Sequence, residues 1–426
     1  MISREFSRRG LMGGALAGAA VSFVTGPSVT AAVLQEAVTR SPMPAGSPPA
    51  PISREERLAR LGRARALMAE HGIGATFIES GPSLDYFTGI RWWRSERVTG
   101  VLIPVRGNPL VITPFFERPS VEETLDVSAE IRTWEEDEDP LRLVAAFLAA
   151  GGLATAPIAL EETNRYFILD RLKQALPNAR VVSGNPVVRA ARMIKSPAEL
   201  ALMQHAANIT RDALQQTHAE VREGMSNAEI GQRFEKNVSA LGGEEPWSLV
   251  LIDEASALPH GSGKPQQVKH GSVVLMDCGC GFRGYQADIS RTFVWGAEPT
   301  PLQRKVWEQV RRGQDIAMAA AKIGAPAGSV DDAVRRTYEA WGYGPRYKLP
   351  GTSHRTGHGI GMEGHEPVNL VHGETMPLAP GMCFSNEPGI YLPGQFGVRL
   401  EDCFFMTASG PKWFTTPPPS IDRPFD

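Results

Sequence analysis

The sequence predicts an α/β domain followed by an α+β domain, and three observations support this prediction. The chain has 426 residues, more than one hydrophobic core usually organises. Between residues 53 and 189, strand and helix patterns alternate, as they do in α/β domains. Between residues 190 and 426, helices are interleaved with pairs of strands joined by short turns, which is typical of an α+β domain.

The first 32 residues are predicted to be a twin-arginine signal peptide. The segment Ser7–Met12 contains Arg8-Arg9 and precedes a Gly/Ala-rich apolar run, after which Ala31 offers a small residue for cleavage. A run of about 14 apolar residues is too short for a stable membrane span. We therefore expect a periplasmic or secreted protein without a stable span after processing; the alternative is a chance arginine pair and a cytoplasmic protein. Residues 33–52 are rich in Pro, Ser and Ala and predict a linker.

The α/β domain, residues 53–189, is predicted to begin with a helix. Ser53-Arg-Glu-Glu56 is a capping box, and Gly72 is expected to end the helix that it opens. The remaining elements follow from short apolar runs and from helical periodicity. They are strands at 75–79, 98–104 and 109–113, and helices near 141–150 and 166–175.

The α+β domain, residues 190–426, is predicted to begin with two helices that carry capping boxes. Ser196-Pro-Ala-Glu199 opens a helix that runs to about residue 220, and Ser226-Asn-Ala-Glu229 opens a second that runs toward residue 241. Two further helices are expected at 301–323 and 330–341. The strands of this domain are expected in hairpins near 273–294 and 382–405.

The overall composition gives no sign of a charged polymer as partner. The formal net charge is −3 and 21% of the residues are charged, so neither nucleic acid nor an acidic membrane surface is indicated. All four cysteines lie in the C-terminal half, and two of them are spaced CxC rather than CxxC. We interpret all four as reduced core residues, with a cysteine metal site as the alternative.

The first candidate site is the hairpin Val273–Val294. If its turn is Gly281–Gly284, antiparallel pairing places Asp277 directly opposite Asp288. Two like charges that face each other destabilise a strand pair, so this register requires a cation between them. The alternative is a register shifted by one residue, which would place the two acids on opposite, solvated faces.

A second hairpin repeats this arrangement. A five-residue loop at Leu392–Phe396 places Glu387 opposite Glu401, and Pro388 implies an edge or a bulge in the first strand. Four neighbouring carboxylates carry a charge of −4. Two divalent cations would neutralise this charge, whereas one would leave a costly excess.

Histidines lie between the two hairpins in a Gly-rich segment. The segment contains His354, His358 and His365. In a strand, His354 and His358 would face the same way, because they are an even number of residues apart. The glycines around His358 allow the backbone to approach a ligand closely. His260, just before the first hairpin, is a fourth candidate. A single histidine is usually structural, but this clustering favours a site.

These motifs together resemble the pita-bread metallopeptidases, which include prolidase, X-Pro aminopeptidase, methionine aminopeptidase and creatinase. The resemblance covers residues 53–426, and it implies a creatinase/prolidase-like N-terminal domain at 53–189 and a pita-bread catalytic domain at 190–426. It rests on the pair Asp277 and Asp288 eleven residues apart, on Gly357–Gly361 before His365-Glu366-Pro367, on Asn386–Gly389, and on Val398–Asp402.

The resemblance implies a dinuclear metal site. The side chains that would hold two divalent ions are Asp277, Asp288, His358, Glu387 and Glu401. A ligand set with many carboxylates and one imidazole favours Mn²⁺, while Co²⁺, Zn²⁺ and Fe²⁺ also fit.

The resemblance also implies roles in catalysis, with a metal-activated hydroxide as nucleophile. Glu387 would accept the proton of the attacking water. His260 and His365 would bind the substrate carbonyl and stabilise the tetrahedral intermediate, and His354 would line the pocket beyond the scissile bond. Arg399 would orient the site carboxylates; the alternative for it is a surface ion pair.

The function implied is that of an exopeptidase that cleaves Xaa-Pro bonds in small peptides, either as an aminopeptidase or as a dipeptidase. The resemblance also implies a homodimer or a higher homo-oligomer. One alternative is a creatinase-like hydrolase of a non-peptide C–N bond, and another is a binding protein on an inactive peptidase fold. Ile252-Asp253-Glu254 departs from the small residues that relatives often have there. We hypothesise that Asp253 or Glu254 receives a cationic substrate group, with a solvated loop as the alternative.

Overall fold

A computed structural model describes residues 48–425 of the chain. The predicted signal peptide and most of the predicted linker lie outside the described residues. Among the residues that are described, no helix is both long and apolar enough to cross a membrane.

The N-terminal region folds around one mixed sheet. Its elements in chain order are α1 (Arg54–Glu70), β1 (Ala75–Glu79), α2 (Pro82–Thr88), β2 (Gly100–Pro104), β3 (Leu110–Pro114), a 3₁₀ turn (Phe115–Glu117), α3 (Arg118–Thr124), β4 (Glu130–Trp134), α4 (Pro140–Ala150), β5 (Ile158–Leu160), α5 (Tyr166–Ala175), β6 (Val181–Ser183) and α6 (Val188–Met193). The strand order is β4-β3-β2-β1-β5-β6. The strands β1, β2 and β3 are buried along their whole length, as expected of strands that helices cover on both faces.

The predicted helices and strands of this region are present, with ends that differ by at most two residues. The Ser53 hydroxyl accepts a hydrogen bond from the Glu56 amide at 3.2 Å and so caps α1, and α5 has the predicted bounds. The short strands β4, β5 and β6 and the helices α2, α3 and α6 were not predicted. Elements of three to seven residues carry too little periodicity to be recognised in a sequence.

The C-terminal region contains the two predicted hairpins and three small antiparallel sheets. Its elements are α7 (Pro197–Glu220), α8 (Asn227–Ala240), β7 (Glu244–Ile252), a 3₁₀ turn (Asp253–Ala257), β8 (Val273–Phe282), β9 (Tyr285–Val294), α9 (Pro301–Ala320), α10 (Gly328–Ala340), β10 (Gly357–Gly359), β11 (Glu366–Leu370), β12 (Cys383–Asn386), β13 (Gly389–Leu392), β14 (Phe396–Arg399), β15 (Asp402–Thr407) and β16 (Gly410–Trp413). The sheets have the orders β7-β8-β9, β11-β10-β12-β15-β16 and β13-β14.

Capping boxes set the starts of α7 and α8 as the sequence predicts. At Ser196 and Ser226 the hydroxyl accepts the amide hydrogen bond three residues later, and the glutamate there returns one to the cap amide. The strand β7 was not predicted. All four cysteines are free and buried, which confirms their interpretation as reduced core residues.

The first hairpin has a different register from the predicted one. Its turn is the two-residue Arg283-Gly284, with φ of 51° and 81°, which is the conformation of a type I′ turn. Asp277 therefore pairs with Ser290, and Asp288 pairs with Gly279, so the predicted Asp277–Asp288 pair is wrong by two residues. Because side chains alternate with a period of two, the two acids still share one face and are diagonal neighbours.

The second hairpin has the predicted register. Gly389 pairs with Arg399 on one side of the two glutamates, and Asn386 pairs with Asp402 on the other. Glu387 and Glu401 lie between these two ladders, where Pro388 interrupts the first strand as predicted. The interruption separates β12 from β13 and leaves the two glutamates outside any strand.

One hydrophobic cluster continues across residue 190. It joins Leu61 and Phe87 of the N-terminal region to Met203 on α7 and to Met276 on β8. The domain boundary near residue 190 stays a prediction. The packing holds α7 and the β7-β8-β9 sheet against the N-terminal region, and the candidate site lies where this sheet meets the second hairpin.

Candidate metal centre

The two hairpins join at a single pair of residues. Ser290 on β9 and Glu401 beyond β14 exchange backbone hydrogen bonds, with N–O distances of 3.3 and 3.1 Å. The Ser290 hydroxyl lies 2.8 Å from Glu401 Oε2 and 2.8 Å from Asp277 Oδ1, and its one hydrogen can be donated to either. This contact brings the acids of both hairpins to one place.

The predicted ligand residues converge in overlapping groups of three. Within each group one ligand atom per residue lies within 4.8 Å of the others. The groups are Asp277, Asp288 and Glu401; His358, Glu387 and Glu401; and Asp288, His358 and His365. The structure therefore brings all five predicted ligands together, and it adds His365 at one side.

His358 presents an unprotonated nitrogen to the acids. Its amide donates to the Ser385 hydroxyl at 3.0 Å, and its Nδ1 donates to the carbonyl oxygen of Gly359 at 3.0 Å. The neutral ring therefore has a lone pair on Nε2, which lies 3.3 Å from Glu387 Oε1 and 3.8 Å from Asp288 Oδ2. Burial, with His365 nearby, lowers the pKa of His358 to about 3, so the ring stays neutral.

The acidic oxygens of this site fit a bound cation. Asp288 Oδ1 and Glu401 Oε1 are buried and have no hydrogen-bond donor among the described residues. Burial and the neighbouring carboxylates raise the pKa of both residues well above the usual range, and they raise that of Glu387 to about 7. Buried acids without donors are unfavourable unless a metal ion binds them.

Arg399 connects the site to its surroundings. Its guanidinium contacts Asp277 Oδ2 at 2.5 Å, the Ser290 hydroxyl at 3.2 Å, the Tyr391 hydroxyl at 3.0 Å and the carbonyl oxygen of Pro259 at 3.2 Å. The residue is 3% exposed, so the alternative of a surface ion pair is wrong. These contacts fix the orientation of the Asp277 carboxylate.

His354 uses both ring nitrogens within the protein. Its Nδ1 donates to the carbonyl oxygen of Arg355 at 2.8 Å, so its Nε2 accepts the Tyr391 hydroxyl hydrogen at 2.7 Å. Burial lowers the pKa of His354 to about 3 and keeps the ring neutral. The ring can line a pocket, as predicted, but its nitrogens are not free to bind a substrate.

His365 and His260 lie at the exposed side of the centre. The ring of His365 is 3.9 Å from that of His358 between centroids, and its Nδ1 lies 3.3 Å from Arg355 Nη2. Partial burial of the ring and the nearby charge of Arg355 lower the pKa of His365, and His260 adds to this effect. Both histidines are exposed, so a ligand can reach them.

Three functional contacts were not predicted. They are the contact of Ser290 with both Asp277 and Glu401, the contacts of Tyr391 with His354 and Arg399, and the contact of Arg355 with His365. Tyr391 shares strand parity with Glu387, and this signal could have identified it. Its ring fills space that Gly389 and Gly397 leave free, since a Cβ on either would lie 2.6 Å or less from a neighbouring atom.

Asp253 has a structural role. Its two carboxylate oxygens accept hydrogen bonds from the Ser272 hydroxyl and the Val273 amide, both at 2.9 Å. These contacts join the end of β7 to the start of β8. They do not test whether Asp253 or Glu254 receives a cationic substrate group, which stays a hypothesis.

Comparison with known proteins identifies the family of this fold and site. Residues 60–194 match the model of the creatinase/prolidase N-terminal domain, and residues 201–408 match that of metallopeptidase family M24. The chain is 31% identical over 360 residues to the probable dipeptidase PepE of Mycobacterium tuberculosis, an alignment that covers 82% of this chain and 92% of the relative. The chain belongs to metallopeptidase family M24.

Other M24 proteins agree with this assignment. The Xaa-Pro dipeptidase of Lactobacillus helveticus is 31% identical over 346 residues, which cover 80% of this chain and 92% of that one. The crystal structure of dipeptidase PepE from Mycobacterium ulcerans superposes with a TM-score of 0.80 at 30% identity, covering 87% of this chain and 98% of that one. The fold is a creatinase N-terminal domain followed by a pita-bread catalytic domain, and the protein is a hydrolase of peptides that uses divalent metal.

Proposed function

We propose that this M24 peptidase is an exopeptidase that cleaves Xaa-Pro bonds and works with two divalent ions. The observation that carries the proposal is the convergence of five ligand side chains around buried oxygens of Asp288 and Glu401 that have no donor. The name of the Lactobacillus relative supports the Xaa-Pro specificity.

Two divalent ions would be held by the five predicted ligand side chains, which are Asp277, Asp288, His358, Glu387 and Glu401. Four carboxylates and one imidazole favour Mn²⁺ over softer ions. The ions, when bound, would supply Lewis acidity and lower the pKa of a water molecule toward neutrality.

The side chains of the chain itself would then have distinct roles. Glu387 would accept the proton of the attacking water and pass it to the leaving imino nitrogen. His260 and His365 would donate hydrogen bonds to the carbonyl oxygen as negative charge develops on it. Arg399 would keep Asp277 in position, and the His354–Tyr391 pair would form one wall of the pocket.

Dipeptides are the favoured substrate because of Arg355. Among the described residues, no carboxylate oxygen lies within 4.0 Å of its guanidinium, although the pKa values of Glu387 and His365 respond to its charge. A guanidinium without an acidic partner beside a peptide site suits the free carboxylate of a dipeptide. An aminopeptidase would instead leave room for further residues beyond proline.

Two measurements on the purified full chain test the proposal. We expect two equivalents of divalent metal, with Mn²⁺ restoring the highest activity, and hydrolysis of Xaa-Pro dipeptides in preference to Xaa-Pro-Yaa tripeptides. Turnover of tripeptides alone would support the aminopeptidase. Metal-independent turnover of a non-peptide C–N bond would support the creatinase-like alternative, which the complete ligand set disfavours.

The cellular location and assembly are further proposals. We propose export by the twin-arginine route with cleavage near residue 32, and we expect replacement of Arg8 and Arg9 by lysine to retain the protein in the cytoplasm. We also propose a homodimer, which light scattering of the purified protein tests. Limited proteolysis tests the domain boundary near residue 190.

A further inference from the structure

A buried polar cluster lies between the two matched domains, outside the metal centre. Arg192 is near the end of α6, and Lys195 lies just before the cap of α7. Both cations bind the carboxylate of Glu366, with Arg192 Nη2 at 2.5 Å from Oε1 and Lys195 Nζ at 2.8 Å from Oε2. The side chains of Lys195 and Glu366 are each 3% exposed, so solvent does not screen the pair.

The same carboxylate organises the loop before β11. Glu366 Oε1 also accepts hydrogen bonds from the amides of Met362 at 2.8 Å and Glu363 at 3.3 Å. Gly361 packs directly against the cluster, since a Cβ there would lie 2.7 Å from both Glu366 oxygens and from Lys195 Cε. One buried charge therefore holds the backbone of residues 361–363.

His365 depends on this loop for its position. It is the next residue before Glu366, and it is exposed beside the metal centre while Glu366 is buried. Its ring lies 3.9 Å from that of His358 between centroids. Among the described residues, the ring accepts a hydrogen bond from the partly exposed Arg355 at 3.3 Å, so the position of the ring also depends on the backbone that carries it.

The cluster continues into the N-terminal domain. Arg192 Nη1 donates to the Ser83 hydroxyl at 2.9 Å, and this hydroxyl donates to Glu161. Ser83 lies on α2 and Glu161 follows β5, so the chain of contacts leads from the end of strand β5 in the N-terminal sheet to the loop that carries His365.

We propose that Arg192, Lys195 and Glu366 are positioning residues that hold His365 where it can bind the substrate carbonyl. The N-terminal domain thus contributes to the geometry of the catalytic domain through buried charges. The kinetic consequence of this inference rests on the proposed peptidase function, whereas its structural consequence does not.

Kinetics of Lys195→Met and Arg192→Met test the positioning role. We expect kcat for an Xaa-Pro dipeptide to fall at least tenfold, while KM and the metal content change little, because the metal ligands and the rest of the pocket stay in place. The matched control is Arg165→Met, which breaks the Arg165–Glu79 ion pair of the N-terminal region, where the side chain of Glu79 is fully buried and that of Arg165 is 29% exposed. Wild-type kcat in the folded Lys195 and Arg192 variants would overturn the proposal.

Amide exchange provides a readout that is independent of peptide cleavage. We expect the amides of Met362 and Glu363 to lose protection in Lys195→Met but not in Arg165→Met. The double variant Lys195→Met/Glu366→Gln should regain part of the protection. The neutral glutamine side chain at position 366 does not need a cation, and its oxygen can still accept hydrogen bonds from the amides of Met362 and Glu363. If the wild-type protein cleaves no Xaa-Pro peptide, the proposed function fails, and amide exchange alone then tests the positioning role. Unchanged protection of the Met362 and Glu363 amides in Lys195→Met overturns the positioning role. Should Arg192→Met not fold, Lys195→Met carries both tests.

Discussion

The Ser290 hydroxyl lies 2.8 Å from a carboxylate oxygen of Asp277 and 2.8 Å from one of Glu401, two acids that are 124 positions apart in the sequence and belong to different hairpins. Arg399 Nε donates to the same hydroxyl at 3.2 Å. A hydroxyl shared in this way sets the distance and orientation of two predicted metal ligands.

Replacement of Ser290 tests this contact. We expect Ser290→Ala to weaken metal binding about 10-fold or more, because residues that orient metal ligands typically contribute this much. Ser290→Thr keeps the hydroxyl and serves as the control. Metal titration of both variants measures the effect, and equal affinities in Ser290→Ala and wild type would refute the role.

The stability of the metal-free protein should fall as the pH rises. Burial and Asp277 raise the pKa of Glu387 to about 7 in the folded state, so the folded protein binds this proton more tightly than the unfolded chain does. Its stabilising effect is complete below the unfolded value of 4.5 and is lost as the pH rises through about 7. We expect a loss of roughly 1 to 3 kcal/mol in the free energy of unfolding.

Chemical denaturation at several pH values measures this dependence. In Glu387→Gln the loss between pH 4.5 and 7 should be smaller, since the amide does not titrate. Saturation with Mn²⁺ should also reduce this loss of stability, because a bound ion replaces the proton in neutralising the carboxylates. The same slope in wild type and Glu387→Gln would contradict the explanation.

Arg399 should be sensitive even to a conservative change. Its guanidinium donates to Asp277, Ser290, Tyr391 and the Pro259 carbonyl at once, and a lysine ammonium cannot reach four acceptors in that plane. We expect Arg399→Lys to lower kcat/KM by on the order of 10- to 100-fold. Steady-state kinetics with metal content measured in parallel would show this decrease. Wild-type kinetics in Arg399→Lys would mean that a positive charge alone is sufficient to orient Asp277.

Arg355 should distinguish free carboxylates from blocked ones. We expect Arg355→Gln to raise KM for an Xaa-Pro dipeptide about 10-fold or more, because a charge-assisted hydrogen bond is lost. The carboxamide of the same dipeptide is the control and should be affected little. An equal change for both substrates would show that Arg355 acts on the site rather than on the carboxylate.

Gly279 is predicted to be essential for packing of the first hairpin. It pairs with Asp288, and a Cβ there would lie 2.1 Å from the Ala287 carbonyl oxygen and 2.6 Å from the ring of Trp247. We expect Gly279→Ala to lower the free energy of unfolding by about 2 kcal/mol or more. Gly281→Ala on the same strand is the control, since its nearest neighbour is the flexible end of Gln286 at 3.1 Å. Urea unfolding of both variants measures the change in the free energy of unfolding. Equal losses in Gly279→Ala and Gly281→Ala would exclude the steric explanation.

Local patterns were sufficient for much of the fold. Capping boxes at Ser196 and Ser226 predicted the starts of α7 and α8, because these signals depend on residues three positions apart. The predicted pairing of the first hairpin was wrong by two residues, because the two-residue segment Arg283-Gly284 forms the turn rather than the four-residue segment 281–284. The prediction that Asp277 and Asp288 share a face was still confirmed, since a shift of two preserves the alternation of side chains.

The sequence by itself determined the fold class, the family and which acids and histidines come together, because each of these depends on spacing along a strand or on a short motif. Only the tertiary structure decided what holds these side chains in place. Tyr391 meets His354, 37 residues away, and Arg192 meets Glu366, 174 residues away. Such contacts arise from the packing of separate elements, which no local pattern encodes. The same packing left Arg355 without an acidic partner beside the site among the described residues, and its charge lowers the pKa of His365 there.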